Sequence, residues 1–180
     1  MSVLLLLIVI VLALMFRPFT AYSTSMAPTL TEREYFMVFK WYFEPKRGDI
    51  FAFRLPRDPS TVYVFRIVGL PGDRVQMVRG HLHINGQPVN RERIADYVHE
   101  GRAVKQWRET LPNGATHRTL DLIENGFLDD TNVYNVPKGH YFVMGDNRDN
   151  ASDSRVKQTG TIPRENLIGA AFYCARGGCK

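Results

Sequence analysis

The stretch that decides the fold class is an aromatic and β-branched run that ends in a turn. Residues 62–73 read Val62-Tyr63-Val64-Phe65-Arg66-Ile67-Val68-Gly69-Leu70-Pro71-Gly72-Asp73. β-Branched and aromatic residues favour strands, and Gly-x-Pro-Gly-Asp is typical of the turn that ends one. The stretch therefore predicts a β-strand closed by a tight turn.

Similar patterns recur along the chain. Tyr35 to Phe43 is aromatic and nearly all apolar, and residues 50–53 and 140–144 are shorter runs of the same kind. Residues 81–89 carry Asn-Gly between two short runs, which predicts a hairpin with a type I′ turn. Since no useful helical periodicity follows residue 20, we predict a mainly β fold of antiparallel strands, as a sandwich or a partly open barrel.

The first residues differ from the rest. Val3 to Phe16 is an unbroken run of 14 apolar residues, which as a helix spans about 21 Å, against about 30 Å for a hydrocarbon core. The run can be interpreted as a cleaved signal peptide or as an uncleaved anchor. Residues 1–2 carry no basic side chain and residues 17–19 make a poor cleavage site, which favours an N-terminal membrane helix that anchors the chain or dips into lipid.

Composition excludes some classes of function. The net charge of +5 permits contact with anionic lipid or nucleic acid, but no Lys/Arg-rich run with interleaved aromatics occurs, so no nucleic-acid binding is predicted. Cys174 and Cys179 could form one disulfide or half of a zinc site, and no second Cys or His pair lies nearby. A disulfide-closed loop and two free thiols both remain open.

The middle of the chain is polar. Residues 91–135 read as irregular, with strand hints near Val98 and at residues 119–121, and we predict an inserted β subdomain there. The predicted division is a membrane anchor (1–20), a β core (21–90 and 136–173), the inserted β subdomain (91–135) and a C-terminal tail (174–180).

Three clusters are candidates for chemistry. Residues 22–30 read Tyr-Ser-Thr-Ser-Met-Ala-Pro-Thr-Leu, where a serine becomes a nucleophile only with a base or a depressed pKa. The second cluster is the turn at residues 66–73. The third, residues 145–155, is dense in carboxylates and amides, but the twelfth position of a calcium loop starting at Asp146 is Lys157, so no metal is predicted.

In this order, the three clusters resemble the bacterial type I signal peptidases. That family runs Ser-x-Ser-Met-x-Pro-Thr-Leu after a membrane segment, then a strand that reaches Arg-x-Val-Gly-Leu-Pro-Gly-Asp, then Gly-Asp-Asn-Arg-Asp-Asn-x-x-Asp-Ser-Arg. The hairpin at residues 81–89 is similar to the family's Ile-Asn-Gly segment. The resemblance covers residues 3–90 and 138–172.

The resemblance implies roles for the motif positions. Ser25 takes the place of the nucleophile, and the Ser23 hydroxyl and the Ser25 N–H would form an oxyanion hole. Met26 and Pro28 would shape the turn that presents Ser25, and the residues before it would pair with an extended substrate. The other motif positions are Tyr63, Arg66, Asp146, Asn147, Arg148 and Ala151, with Gly145 for close backbone approach and with Asp153 and Arg155 for a buried ion pair.

The function implied by the resemblance is that of a membrane-bound serine endopeptidase without a cofactor. It would remove N-terminal signal peptides from exported preproteins after small residues, in the pattern Ala-x-Ala. It would sit in a bacterial inner membrane with a single-pass anchor and its soluble domain on the outer side. Its partners would be preproteins and membrane lipid.

Two motif positions depart from the family. Phe65 stands where the family keeps a general-base lysine, a group whose pKa is lowered by burial so that it can accept the serine proton. Ala151 stands where a serine usually helps to hold that lysine. The alternative prediction is a catalytically impaired or inactive homologue that binds signal peptides or a partner.

Replacement bases are few. Arg66 cannot be deprotonated at useful pH, and no histidine stands where some relatives use a histidine base. Lys157 is the lysine nearest in sequence to the third cluster, and a displaced base there is a further alternative. The other residues considered are Lys40, Lys46, Lys138, His81, His83, His99, His117 and His140.

Overall fold

The structure, a computed structural model, describes residues 3–40, 44–99 and 101–174. In those ranges it holds one α-helix, α1 (Val3–Met15), and a 3₁₀ turn at Arg164–Asn166. The strands are β1 (Phe16–Thr20), β2 (Tyr35–Phe39), β3 (Ile50–Leu55), β4 (Asp58–Gly69), β5 (Arg74–Val78), β6 (His81–Ile84), β7 (Gln87–Pro88), β8 (Asn90–His99), β9 (Arg102–Thr110), β10 (Thr116–Asp121), β11 (Tyr134–Asn135), β12 (His140–Met144), β13 (Ile162–Pro163) and β14 (Leu167–Cys174).

The strands form three antiparallel sheets. The largest has seven strands in the order β1-β2-β14-β3-β4-β12-β13, and the smaller ones run β11-β5-β6-β7 and β10-β9-β8. The prediction of a mainly β, antiparallel fold is confirmed. The large sheet stays open between its edge strands β1 and β13, so no closed barrel forms in the described ranges.

The strand and turn predicted at residues 62–73 lie inside the large sheet. Strand β4 pairs with β3 on one side and with β12 at its C-terminal end. In the turn that follows, the Leu70 N–H donates to the Asp73 carboxylate at 2.6 Å, and Gly72 adopts a φ of 91°, which glycine tolerates without strain. The hairpin of β6 and β7 has positive φ at Asn85 and Gly86, as a type I′ turn requires.

Helix α1 runs directly into β1. It is 13 residues long, and none of its side chains is buried against the domain. The apolar run predicted a helix to Phe16, but Phe16 already begins β1. Among the described residues, no helix combines the length and the apolar character that crossing a membrane requires.

The segment at residues 91–135, where an inserted β subdomain is predicted, contains a three-stranded sheet. Strands β8, β9 and β10 pair in register, with Arg91 opposite Glu109 and His117 opposite Glu109 on the other side. The sequence gives only hints of these strands, because several of their buried positions are polar (Gln106, Glu109, His117 and Thr119). The domain boundaries themselves stay a prediction.

Two apolar cores flank the centre of the large sheet. Strand β12 contributes Tyr141 and Val143 to one core and Phe142 and Met144 to the other, as successive side chains of a strand must. Gly145 follows directly and starts the third motif cluster. The two cores therefore fix the point from which the candidate site is built.

Two predictions fall partly outside the described residues. Strand β2 covers Tyr35–Phe39 of the run to Phe43, and residues 41–43 are not described. Cys174 is disulfide-bonded and buried, while Cys179 lies outside the described ranges.

Candidate active site

Ser25 sits in a tight turn between β1 and β2. The Ala27 N–H donates to the Thr24 carbonyl at 3.0 Å, and the Leu30 N–H donates to the Met26 carbonyl at 2.9 Å. Met26 and Leu30 are buried beneath the turn, as are Ala27 and Pro28, while Ser25 is half-buried. The apolar residues of the motif thus anchor the turn and leave Ser25 at its surface.

The third motif cluster holds this turn from the other side. The Asn147 N–H donates to the Ser25 carbonyl at 3.0 Å, and the Asn147 side chain donates to the Thr24 carbonyl at 3.1 Å. The Asn150 side chain donates to Thr24 Oγ1 at 2.6 Å. Residues 147–150 therefore fix the backbone on which Ser25 stands.

The polar atoms at Ser25 are arranged as donors. Ser25 Oγ donates to the Asn150 carbonyl at 2.6 Å. The Ser25 N–H donates to Ser23 Oγ at 3.5 Å. The structure thus brings Ser23 and Ser25 together, and both groups would have to turn toward a bound oxygen to act as the two donors of an oxyanion hole.

Phe65 and Ala151 meet Ser25 at Gly145. A Cβ added to Gly145 would lie 2.6 Å from the Ser25 carbonyl oxygen, 2.4 Å from Ala151 Cβ and 3.5 Å from the Phe65 ring. Only glycine fits there, and the four residues pack around one point. Phe65 is 5% exposed and its ring centroid lies 5.9 Å from that of Phe53.

In the described part of the chain, no lysine or histidine lies in the lining of the groove. Lys46, Lys138 and Lys157 are exposed and Lys40 is half-buried. Ser152, the hydroxyl next to Ala151, is exposed in a loop rather than on a strand. Among the described residues, the acceptor found for Ser25 Oγ is the backbone carbonyl of Asn150.

Arg66 and Asp146 tie all three clusters together. Arg66 Nε and Nη2 donate to the two Asp146 oxygens at 2.8 and 2.7 Å, and Thr29 Oγ1 donates to Asp146 at 2.5 Å. Burial alone would raise the pKa of the Asp146 carboxyl, but the Arg66 guanidinium outweighs burial and holds the pKa below its ordinary value of 3.8. A buried ion pair therefore links the turn that presents Ser25 to strand β4.

Asp153 and Arg155 form a second buried ion pair. Arg155 Nε and Nη2 donate to the Asp153 oxygens at 2.8 Å each, and Asp153 also accepts from the Gly145 N–H at 3.0 Å. The pair fixes Gly145, the residue that touches Ser25 and Ala151.

A third buried cluster was not predicted from the sequence. Arg148 donates to both Glu109 oxygens and to the Gly145 carbonyl, and His117 Nε2 lies 3.4 Å from Glu109. Burial, and then the charge of Arg66, lower the pKa of His117. Glu109 and His117 come from the sheet of β8–β10, and only the strand register, which places them opposite each other, could have revealed them.

An apolar groove is lined by Ser23 and Met26, the residues on either side of Thr24 and Ser25. It has a volume of about 690 Å³, and its lining contains no charged side chain. Two strand edges flank it: β1 pairs only with β2, and β4 pairs with β12 only from Arg66 onward. Tyr63 lines it and donates to Asp58 at 2.9 Å. The lining residues are Pro18, Phe19, Thr20, Ala21, Tyr22, Ser23, Met26, Tyr35, Phe36, Thr61, Val62, Tyr63, Val64 and Phe65.

The described residues contain no group of three or more His, Cys, Asp or Glu side chains that could hold a metal ion. The chemistry available is therefore that of Ser25, its neighbouring donors and the apolar groove.

Comparisons with known proteins identify the family. A family model described as signal peptidase, peptidase S26, matches residues 1–175. The signal peptidase I of Rickettsia typhi is 36% identical over 190 positions, which cover 89% of this chain and 72% of the relative. That of Rickettsia canadensis is 35% identical over the same length. The crystal structure of a signal peptidase I from Enterococcus faecalis matches with a TM-score of 0.43 at 26% identity, over 72% of this chain and 98% of that one. The chain belongs to the signal peptidase family, peptidase S26, and is by family resemblance a signal peptidase I, a serine endopeptidase.

Proposed function

We propose that the chain recognises the signal peptides of exported preproteins and presents Ser25 as the nucleophile, but hydrolyses them very slowly because it lacks a base. The observation that carries the proposal is the packing of Phe65 and Ala151 against Gly145 beside Ser25. The chain is then a catalytically impaired homologue that keeps the binding half of the site.

Substrate binding follows from the groove. An extended peptide can add as a strand along the free edges of β1 and β4, with alternate side chains directed at the apolar lining. A neutral, apolar slot suits small uncharged residues next to the cleavage point, in the pattern Ala-x-Ala. Ser23 and Ser25 lie where such a peptide would end against the turn.

The missing step is proton transfer. For Ser25 Oγ to attack a peptide carbonyl, its proton must pass to a base, and the Asn150 carbonyl that accepts its hydrogen bond is not basic enough. The Ser25 N–H and the Ser23 hydroxyl would still stabilise the oxyanion. In a serine protease, removal of the base alone lowers kcat by about 10⁶.

Helix α1 supports a membrane location. Its side chains are apolar and exposed, and it continues without a break into β1, which lines the groove. We propose that α1 associates with the bacterial inner membrane as part of a single-pass anchor. The groove would then lie close to the lipid surface on the outer side, where preproteins emerge.

A second candidate function is an efficient peptidase whose base comes from elsewhere, such as Lys157. The presence of both Ser25 and Ser23, which lie within hydrogen-bonding distance of each other, favours it.

The test uses the purified full chain in detergent beside its Ser25→Ala variant. A preprotein with an Ala-x-Ala site is followed for release of the mature part, and a labelled synthetic peptide ending in Ala-Gln-Ala is titrated for binding. We expect both proteins to bind the peptide and neither to release the mature part at an appreciable rate. Rapid release that vanishes in Ser25→Ala would establish the second candidate, and absence of peptide binding would refute recognition itself.

A further inference from the structure

The sheet of β8–β10 reaches the candidate site through the loop that follows β12. This loop runs parallel to the end of β10: the Leu120 N–H donates to the Asp146 carbonyl at 2.8 Å, and the Arg148 N–H donates to the Leu120 carbonyl at 3.1 Å. Between these two contacts lies Asn147, whose own N–H donates to the Ser25 carbonyl at 3.0 Å. The loop therefore lies between the small sheet and the turn that carries Ser25.

A buried ion pair joins the same loop to the neighbouring strand, β9. Glu109 is 2% exposed and accepts from Arg148 Nη1 at 2.8 Å and from Nη2. Arg148 Nε also donates to the Gly145 carbonyl at 3.2 Å. Burial alone would raise the pKa of the Glu109 carboxyl, but the Arg148 guanidinium outweighs burial and holds the pKa below its ordinary value of 4.5. An ionised Glu109 therefore fixes the side chain that closes the loop on itself.

Other anchors hold the start of the loop. Its first two residues are tied by Asp153 and by Arg66 of β4, and both contacts precede Asn147. On the far side of Asn147 the buried charge is that of Arg148, and its carboxylate partner is Glu109. Without Glu109, Arg148 would lie buried with its charge uncompensated. We therefore expect the loop to rearrange until that charge reaches water.

We infer that Glu109 is a positioning residue for Ser25: through its buried ion pair with Arg148, the sheet of β8–β10 holds Asn147 against the turn that carries Ser25. The inference goes beyond the proposed function, because it assigns a role to the inserted sheet, and takes from that function only Ser25 as the nucleophile. Glu109 acts through Arg148 and Asn147. A misplacement of Ser25 by about 1 Å is enough to slow its attack about 10²-fold.

The first measurement is amide hydrogen exchange on the full chain in detergent, compared between the unaltered protein and Glu109→Gln. The reporting amides are those of Asn147 and of Ala27, which is hydrogen-bonded inside the Ser25 turn. The reference amide is that of Ile67, which is hydrogen-bonded in the large sheet. If Glu109 only stabilised the fold, exchange would speed up at all three amides alike, because the whole domain would open more often.

We expect Glu109→Gln to raise the exchange rates of Asn147 and Ala27, relative to that of Ile67, by about 10-fold or more. Glu109→Asp keeps the charge and should restore most of the protection. Urea unfolding checks that each variant folds, and Glu109→Asp carries the comparison if Glu109→Gln does not. A ratio that both variants leave unchanged would overturn the inference.

The matched control is Asp73→Asn, which removes the carboxylate of another largely buried ion pair, with Arg47 at 2.8 Å. Because that pair lies in the turn after β4, the change should leave the exchange ratio as it is. Arg148→Gln tests the route: Glu109→Gln should add little once Arg148 is replaced, since residues that act through one contact are not additive. Effects of the two changes that simply add would overturn the inference.

The reaction gives a second measurement, in the chain that carries Phe65→Lys with Ala151→Ser. Adding Glu109→Gln there should lower kcat by about 10-fold or more and change KM by less than about 2-fold, because a displaced nucleophile attacks slowly while the groove is unaltered. An unchanged kcat in a cleaving chain would overturn the inference. Absence of peptide binding to the unaltered chain would refute the proposed function, and the exchange ratios, which need no substrate, would still decide the role of Glu109.

Discussion

The two faces of strand β4 differ sharply at adjacent residues. On one face Arg66 keeps its buried ion pair with Asp146, which in turn accepts from Thr29 in the turn that carries Ser25. On the other face Phe65, at the position where the resemblance predicts a base, is an apolar ring that packs on Phe53 and lines the groove. Successive side chains of a strand point to opposite sides, so each face can change without the other.

The difference separates residues that folding itself retains from residues that only catalysis would retain. Removing one partner from a buried ion pair costs about 3–5 kcal/mol, so folding itself preserves Arg66 and Asp146. A buried lysine opposes folding, because its charged form loses hydration, and only catalysis would retain it. Its replacement by phenylalanine adds about 1.5–3 kcal/mol of favourable burial.

The largest effect should come from restoring the altered face. In the double variant Phe65→Lys with Ala151→Ser, a buried lysine next to a hydroxyl would again stand beside Ser25. We expect release of the mature part of an Ala-x-Ala preprotein to rise by about 10⁴-fold or more, since removal of a base costs about 10⁶ in another serine protease.

A Ser25→Ala change in the same background is the control and should remove the gained activity. If the double variant folds and binds peptide but gains no activity, the scaffold around Ser25 is itself incompetent, and the simple picture of one missing base is wrong.

The next effect should come from breaking the retained face. Asp146→Asn leaves Arg66 buried with its charge uncompensated, and we expect the free energy of unfolding in urea to fall by about 3–5 kcal/mol. The matched control is Arg108→Met, which removes an ion pair with Glu92 at 2.9 Å in which both side chains are largely exposed.

We expect the control to cost less than about 1 kcal/mol. Equal losses in Asp146→Asn and Arg108→Met would mean that the buried pair does not stabilise the site, and the distinction between the two faces of β4 would lose its basis.

The smallest effect concerns pH. Buried His117 has a pKa below its ordinary value of 6.5 in the folded chain, so below pH 6.5 the unfolded chain binds more protons than the folded one. Its contribution to stability is therefore complete above 6.5 and is lost as the pH falls toward the folded-state pKa, at up to about 1.4 kcal/mol per pH unit.

His117→Gln should flatten that part of the curve of unfolding free energy against pH. If the unfolding free energy changed with pH at the same slope in both proteins, His117 would not be a buried neutral imidazole. Its charged neighbours are Glu109, Arg148, Arg66 and Asp146.

The sequence predicted the motif residues of the candidate site but not the buried polar cluster and the groove wall that surround them. The short-range pattern predicted β4, its turn and the hairpin of β6 and β7, because each is encoded by neighbouring residues. The resemblance placed Ser25, Phe65 and Ala151 in one site, and the structure brings them together at Gly145.

The rest depends on pairing between distant segments. Glu109 and His117 face each other only through the register of β9 and β10, and neither has an apolar neighbour pattern that marks it as buried. The far wall of the groove, Tyr35 and Phe36, comes from β2 and joins the site only because β2 pairs with β1.

The aromatic ring of Phe65 in the lining of the groove also bears on how such a chain could evolve. Phenylalanine and lysine codons differ at every position, so a return to lysine passes through intermediates such as leucine, isoleucine, tyrosine or asparagine. Each intermediate side chain would lie in the apolar lining of the groove without supplying a base. Selection for peptide recognition would disfavour the polar intermediates, and selection for cleavage could not reward any of them. Once phenylalanine stands at position 65, a lysine there requires several successive nucleotide changes, none of which supplies a base before the last.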